Sequence, residues 1–109
     1  MQDIGNYFGA TLLKGKELLE NSNKNKIKLE YYSTEKRNIE SEIIYGVSIV
    51  KKEYGKQKVK FEKNSVERIT TNENKIEKII ETLKNFKVTP VGLNDVLTEI
   101  LKRPEFQGE

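Results

Sequence analysis

The stretch Val66–Phe86, VERITTNENKIEKIIETLKNF, decides the fold because the period of its apolar residues changes near Asn72. Before Asn72 the pattern is that of a short strand, in which successive side chains point to opposite faces. After Asn72 the apolar residues recur every three or four positions, which predicts an amphipathic helix. This stripe consists of Ile76, Ile79, Ile80, Leu83 and Phe86. Thr71 or Asn72 can cap the helix, and Glu73 suits its first turn.

A second helix is predicted downstream of Pro90, which disfavours the helical conformation at Thr89 and so ends the first helix. Its apolar stripe is Leu93, Val96, Leu97, Ile100 and Leu101, and Pro104 stops it. The order helix, turn, helix raises the possibility of a DNA-reading motif. The early turns of its second helix carry Asp95 and Glu99, which would face a polyanion, so the pattern favours a core-forming helical hairpin.

Alternating apolar residues upstream predict an antiparallel meander of three or four strands. The apolar residues of IIYGVSIV, residues 43–50, occupy both alternating sets, which is typical of a central strand covered on both faces. Gly46 within it suits a bulge or a close backbone approach. Val59 and Phe61 are expected to point inward. The predicted strands are Ile27–Ser33, Ser41–Lys52, Lys58–Lys63 and Val66–Thr70, with turns at Glu53–Lys56 and Asn64–Ser65.

The N-terminal residues 4–19 are predicted to form an amphipathic helix. Its apolar arc provides a candidate partner-binding face, with the residues Ile4, Tyr7, Phe8, Leu12, Leu18 and Leu19. Three glycines weaken this helix, so it is expected to order when it is covered. The cover is either the sheet of the same domain, a second copy of the chain or another protein. The predicted layout is a helix at 1–22, a polar linker at 23–26, one α+β domain at 27–103 and a flexible tail at 104–109.

The composition excludes several kinds of chemistry. The chain of 109 residues contains no histidine and no cysteine, so triad hydrolases and the usual zinc sites are excluded. No glycine-rich phosphate loop is present. The acidic side chains of the two predicted C-terminal helices are typical of a solvated face rather than of an active site. They are Glu73, Glu77, Glu81, Asp95 and Glu99. We therefore predict a protein that is not an enzyme, binds no cofactor or metal, has no transmembrane segment and is cytoplasmic.

Positive charge is concentrated in the middle of the chain. The formal net charge is +3, and 17 of the 20 basic residues are lysine. Six lysines surround one predicted hairpin, at residues 51–63, and they are Lys51, Lys52, Lys56, Lys58, Lys60 and Lys63. They form either a nucleic-acid-binding surface or a solvated edge whose lysines discourage pairing with another strand.

The C-terminal half resembles a small uncharacterised family, a domain of unknown function, from clostridia and related Firmicutes. The resemblance rests on a turn of the type V-[ST]-P-x-x-L and an ending of the type D-V-[IL]-x-[DE]-[FI]-L, and covers roughly residues 29–101. The matching residues are Val88, Thr89, Pro90 and Leu93, then Asp95, Val96, Leu97, Glu99, Ile100 and Leu101. The resemblance implies the same α+β architecture and assigns no site.

The function predicted from these patterns is that of a small non-catalytic protein-binding or regulatory module. It would act through the N-terminal helix or through a surface of the sheet or helices, with a protein partner or as a homo-oligomer. Binding of nucleic acid by the basic hairpin is the alternative.

Overall fold

The computed structural model describes residues 6–13 and 26–107, which form an α+β fold. Four antiparallel strands lie in the sheet order β1-β2-β3-β4, so that each strand pairs with its neighbours in sequence. The strands are β1 (Asn6–Leu13), β2 (Lys26–Arg37), β3 (Ile43–Tyr54) and β4 (Val59–Thr70). Two helices follow, α1 (Glu73–Asn85) and α2 (Leu93–Leu101), and then a 3-10 turn (Pro104–Phe106).

Both helices pack on one face of the sheet, as their stripes predict. The core joins Leu29 and Tyr31 of β2 and Val47 and Ile49 of β3 to the apolar side chains of the helices. The buried helical residues are Ile76, Ile79, Ile80, Leu83, Leu93, Leu97 and Ile100. The predicted period change is therefore confirmed, and the helical hairpin closes the core.

Local signals at the ends of the helices are also confirmed. The side chain of Asn72 caps α1 by accepting a hydrogen bond of 3.0 Å from the backbone N–H of Lys75. The helix ends at Asn85, so Phe86 leaves the stripe and is 64% exposed. The connection to α2 is held against the sheet, because the Tyr31 hydroxyl donates to the carbonyl oxygen of Val88 at 2.9 Å.

The prediction of an N-terminal helix is wrong for residues 6–13, which form β1 and pair antiparallel with β2. A bulge between Tyr7 and Gly9 interrupts the pairing, and Gly9 has a φ of 157°, which other residues rarely adopt. Glycine lowers helix propensity, while Tyr, Phe and Thr suit a strand. Pairing with the edge of β2 therefore outweighs a helical period in this segment, and the sheet extends beyond the predicted 27–103 domain.

Two further boundaries differ from the prediction. Residues 64 and 65, predicted as a turn, lie within the continuous strand β4. The predicted flexible tail contains the 3-10 turn, in which Phe106 is 4% exposed and joins the core. Polar residues in the middle of β4 resemble a turn in sequence because this edge strand buries little of either face. Residues 23–25 of the predicted linker lie outside the described residues.

The predicted bulge at Gly46 is confirmed. The pairing of β3 with β4 shifts between Tyr45 and Val47, so that Glu67, Arg68 and Ile69 lie opposite Gly46. Arg68 adopts a positive φ of 61° within this bulge. Within this bulge Ile69 packs against the core, and a bulge of this kind locally bends the strand.

Candidate functional site: the open face of the sheet

The sheet has a second face, opposite the helices, that no described element covers; we call it the open face. Antiparallel partners lie on the same side of a sheet, so the strand register assigns its residues. One row contains Lys28, Lys52 and Phe61, the next contains Ala10, Glu30, Val50 and Lys63, and a third contains Tyr7, Tyr32, Ser48 and Ser65. Lys26, Tyr54 and Val59 lie at the hairpin end of this face. The open face therefore combines aromatic rings with lysines.

A buried carboxylate lies near the centre of the open face. Glu30 is only 5% exposed. One of its oxygens, Oε1, accepts a hydrogen bond from the Tyr32 hydroxyl at 2.9 Å. The other, Oε2, lies 3.1 Å from Lys52 Nζ and 3.3 Å from Lys28 Nζ. Three donors therefore satisfy one carboxylate, as burial of a charged group requires.

These contacts shift the pKa values of Glu30, Lys28 and Tyr32. Burial alone would raise the pKa of Glu30, but the hydrogen bonds from Tyr32, Lys52 and Lys28 outweigh it and lower that pKa. The pKa of Lys28 is raised, first by its hydrogen bond to Glu30. Burial, assisted by the hydrogen bond to Glu30, raises the pKa of Tyr32 to about 12. At neutral pH the cluster thus holds an ionised Glu30, a cationic Lys28 and a neutral Tyr32.

We expect Glu30 to make folding sensitive to acid. Because its folded pKa lies below the ordinary value of 4.5, the stabilisation is complete above that value and is lost as the pH falls through the folded pKa. Glu30→Gln should lower the free energy of unfolding at pH 7 by about 1–3 kcal/mol, and its loss of stability in acid should be shallower. Urea titrations from pH 3 to 7 measure both effects.

The control for this prediction is Glu105→Gln, since Glu105 is an exposed carboxylate of the 3-10 turn. It should follow the wild-type pH dependence. Equal acid sensitivity of the wild type and Glu30→Gln would contradict the role assigned to Glu30.

Aromatic side chains flank this cluster on two sides. Tyr7 and Tyr32 form an edge-to-face pair with ring centroids 5.5 Å apart. On the other side Lys52 Nζ lies 5.8 Å from the centroid of Phe61. Tyr7 is 59% exposed and Phe61 is 64% exposed. The expectation that Val59 and Phe61 point inward is therefore wrong, because the helices cover the other face of the sheet.

The structure places only part of the predicted partner-binding set. Tyr7 lies on the open face, whereas Phe8, in the adjoining bulge, packs against the core on the helix side. A strand therefore separates two side chains that a helix would have placed on one arc. Ile4, Leu18 and Leu19 lie outside the described residues, and so does the side chain of Leu12.

The lysines of the predicted nucleic-acid-binding hairpin are divided between surfaces. Lys51 and Lys60 lie on the helix side of the sheet, while Lys52 and Lys63 lie on the open face. Lys51 pairs with Glu62 at 3.6 Å, and Lys52 with Glu30 at 3.1 Å. Lys56 and Lys58 occupy the turn, which the Gly55 N–H closes by donating to the Lys58 carbonyl at 2.9 Å. The six side chains therefore do not form one continuous surface.

The family of the chain follows from a comparison with known proteins. A family model described as "Family of unknown function (DUF6514)" matches residues 11–103. The chain belongs to DUF6514. This confirms the expected likeness to a domain of unknown function, although the matched segment begins earlier than residue 29. No curated protein and no solved structure matches the chain.

The DUF6514 match includes most of the candidate site. It spans β2–β4 and both helices, and so contains Lys28, Glu30 and Lys52, whereas Tyr7 precedes it. The cluster around Glu30 was not singled out from the sequence. Its signal was the alternation of Lys28, Glu30 and Tyr32 on one side of β2, but pairing with Lys52 depends on the β2–β3 register.

The acidic residues of the helices are placed apart from the open face. Glu73, Glu77 and Glu81 are exposed on α1, and Asp95 and Glu99 are exposed on α2. Within residues 6–13 and 26–107, no three acidic side chains lie close enough together to hold a metal ion. Neither helix in the described part of the chain has the length and apolar content that crossing a bilayer requires.

Proposed function

We propose that this DUF6514 protein is a small non-catalytic module that binds another protein through the open face of its sheet. The observation that carries the proposal is the exposure of Tyr7, Tyr54 and Phe61 beside a row of lysines. Aromatic side chains are enriched where proteins bind one another, because they bury a large area at little cost in conformational entropy. We further propose that the protein is cytoplasmic and comes from a clostridium or a related Firmicute.

The charge of the open face indicates the chemistry of the partner. Its cations outnumber its carboxylates, since Lys26, Lys28, Lys52 and Lys63 share this face with Glu30. Glu30 itself is buried and is already neutralised by two of these lysines. A partner that presents acidic side chains around an apolar contact would therefore complement this surface.

We propose that Glu30 has no catalytic role, because of its pKa and its hydrogen bonds. A general acid or base works best when its pKa lies near the operating pH. The contacts of Glu30 move its pKa down, away from neutrality, and both carboxylate oxygens already accept hydrogen bonds. This arrangement suits a structural carboxylate that orients Lys28 and Lys52.

Affinity capture with the full chain tests the proposed surface. We expect Tyr7→Ser combined with Tyr54→Ser to lose a specific protein that the wild type retains from a cell extract, because two aromatic contacts are removed. Loss should be at least about tenfold, which corresponds to about 1.4 kcal/mol. The proteins retained are quantified by mass spectrometry.

The matched control is Phe86→Ser, because Phe86 is a 64% exposed aromatic side chain at the end of α1, which packs on the opposite face of the sheet. It should retain the same protein as the wild type. Identical capture by the control and by the double variant would refute binding through the open face.

Nucleic-acid binding is a second candidate, and one observation favours it. Lys56, Lys58, Lys60 and Lys63 are all exposed at or near the hairpin turn. The expected signature is affinity for a mixed-sequence oligonucleotide that falls steeply with salt. Lys56→Glu combined with Lys58→Glu would abolish it, as fluorescence anisotropy at two salt concentrations would show.

A further inference from the structure

Strand β4 presents an open edge that carries exposed side chains on both faces. Among the described strands it pairs only with β3. Residues 59–63 are all exposed, and Phe61 is 64% exposed at the middle of this segment. The pairing with β3 is regular from Val59 to Val66, and the bulge containing Arg68 then bends the strand. A regular unpaired edge of this kind can accept another strand.

We propose that a second copy of the chain occupies this edge, with the two β4 strands antiparallel and the two-fold axis passing beside Phe61. In an antiparallel pair related by such an axis, residues equally far from the centre lie opposite each other on the same face. Lys60 of each copy then lies opposite Glu62 of the other. Phe61 lies opposite Phe61, and Val59 lies opposite Lys63.

This register extends a charge pattern that already exists within one chain. On the helix side of the sheet, Glu62 lies 3.6 Å from Lys51, and Lys60 is the register partner of Glu53. Pairing of two β4 edges would join these pairs into one row across four strands. In order, the row would contain Lys51 and Glu62 of one copy, then Lys60 and Glu53 of the second copy. Each charge in the row has only opposite charges as neighbours, and this favours association.

The open face supplies the apolar contact of the same interface. At the two-fold axis the rings of the two Phe61 side chains would meet, and each would be removed from water. Lys52 already lies over the outer side of Phe61, with Nζ 5.8 Å from the ring centroid. An aromatic side chain that is 64% exposed in one chain is therefore placed at the centre of the dimer.

Neighbouring registers are disfavoured by the same charges. Centring the pair on Lys60 or Lys63 would place two lysines opposite each other, and centring it on Glu62 would place two carboxylates together. Like charges directly opposite are destabilising. The lysines of this edge therefore act against most strand pairings, as edge lysines usually do, while permitting the one centred on Phe61.

The dimer would have a defined shape. Because the two-fold axis is perpendicular to the sheet, two four-stranded sheets join into one, with all helices on one side and both open faces on the other. The part of the proposed partner-binding surface around Tyr7 and Tyr54 would be present twice, whereas Phe61 would be buried at the axis; the dimer does not depend on that proposal. Short paired edges bury little area, so we expect a dissociation constant in the micromolar range.

A charge exchange between two variants tests the register. Lys60→Glu places two carboxylates opposite each other in its own dimer, and Glu62→Lys places two lysines together. We expect each variant by itself to dimerise at least about tenfold more weakly than the wild type. In an equimolar mixture every Lys60–Glu62 position again holds opposite charges, so the mixture should dimerise. Sedimentation equilibrium of the full chains at about 1–100 µM measures this.

Cross-linking provides a test that keeps the charges unchanged. The chain has no cysteine, so Phe61→Cys introduces one thiol at the proposed axis, where its counterpart is within reach of a disulfide. We expect rapid oxidation to a covalent dimer, whereas Phe86→Cys, at a side chain equally exposed (64%) just after α1, should oxidise at least about tenfold more slowly.

Three results would overturn the inference. The first is a wild-type chain that remains monomeric across the concentration range. The second is a dimer that neither charge variant weakens, or whose mixture is not restored. The third is equal oxidation of the two cysteine variants. A dimer that passes these tests but captures no protein would leave the inference standing and remove the proposed function.

Discussion

Replacement of Gly46 by alanine is expected to lower the free energy of unfolding by about 3 kcal/mol, the upper end of the usual cost of overpacking. A Cβ atom at this position would lie 2.5 Å from the Val66 carbonyl oxygen and 2.7 Å from Glu67 Cα. It would also lie 2.6 Å from Thr34 Oγ1. Two of these atoms belong to the backbone of the β4 bulge, so they cannot move aside without loss of the β3–β4 pairing. Chemical denaturation of the two chains measures the difference.

Gly92 provides the control for this substitution. A Cβ there would have its nearest neighbours in Thr89 at 3.9 Å, which is an ordinary contact. Gly92→Ala should therefore change the stability by about 1 kcal/mol or less, which is the cost of a poorer helix cap. Similar losses for the two variants would contradict the explanation that close contacts exclude a Cβ atom at position 46.

Deletion of residues 1–13 is expected to destabilise the fold by at least about 2 kcal/mol, because it removes β1 and uncovers part of the core. Phe8 packs against the buried cluster, and β1 covers the edge of β2 along the register from Asn6 to Leu13. A loss of this size is a large fraction of the stability of a small domain. Thermal unfolding and light scattering of the shortened and full chains measure the loss and any aggregation through the uncovered edge.

Two point variants distinguish the strand β1 from the helix that the sequence predicted for the same residues. Phe8→Ala should lower the stability by about 1–3 kcal/mol, since its ring contacts the core. Tyr7→Ala should cost less than about 1 kcal/mol, because Tyr7 is 59% exposed on the other face. Equal costs would be expected if both side chains lay on one buried helical arc, and that result would contradict β1.

The sequence by itself determined the helical hairpin and the central strands. The stripe from Ile76 to Leu83, the cap at Asn72 and the break at Pro90 are local signals, and local backbone preferences agreed with the tertiary packing. Gly46 was predicted to mark a bulge or a close backbone approach, and the structure has both. For these elements the period of the apolar residues predicted the type and order correctly. The second cover expected over β3 was not confirmed, because the described helices cover only the face of Val47 and Ile49.

Only the tertiary structure decided the identity of β1 and the composition of the open face. The segment from Asn6 to Leu13 has the apolar period of a helix, but pairing with the edge of β2 selected a strand. The alternation of β4 places Phe61 and its two neighbours in sequence on opposite faces of the sheet. It does not determine which of the two faces the helices cover. The burial of Glu30 likewise depends on Lys52, 22 residues away in sequence and adjacent only through the β2–β3 register. Local sequence sets the period of each element, whereas long-range pairing sets its partner and its buried face.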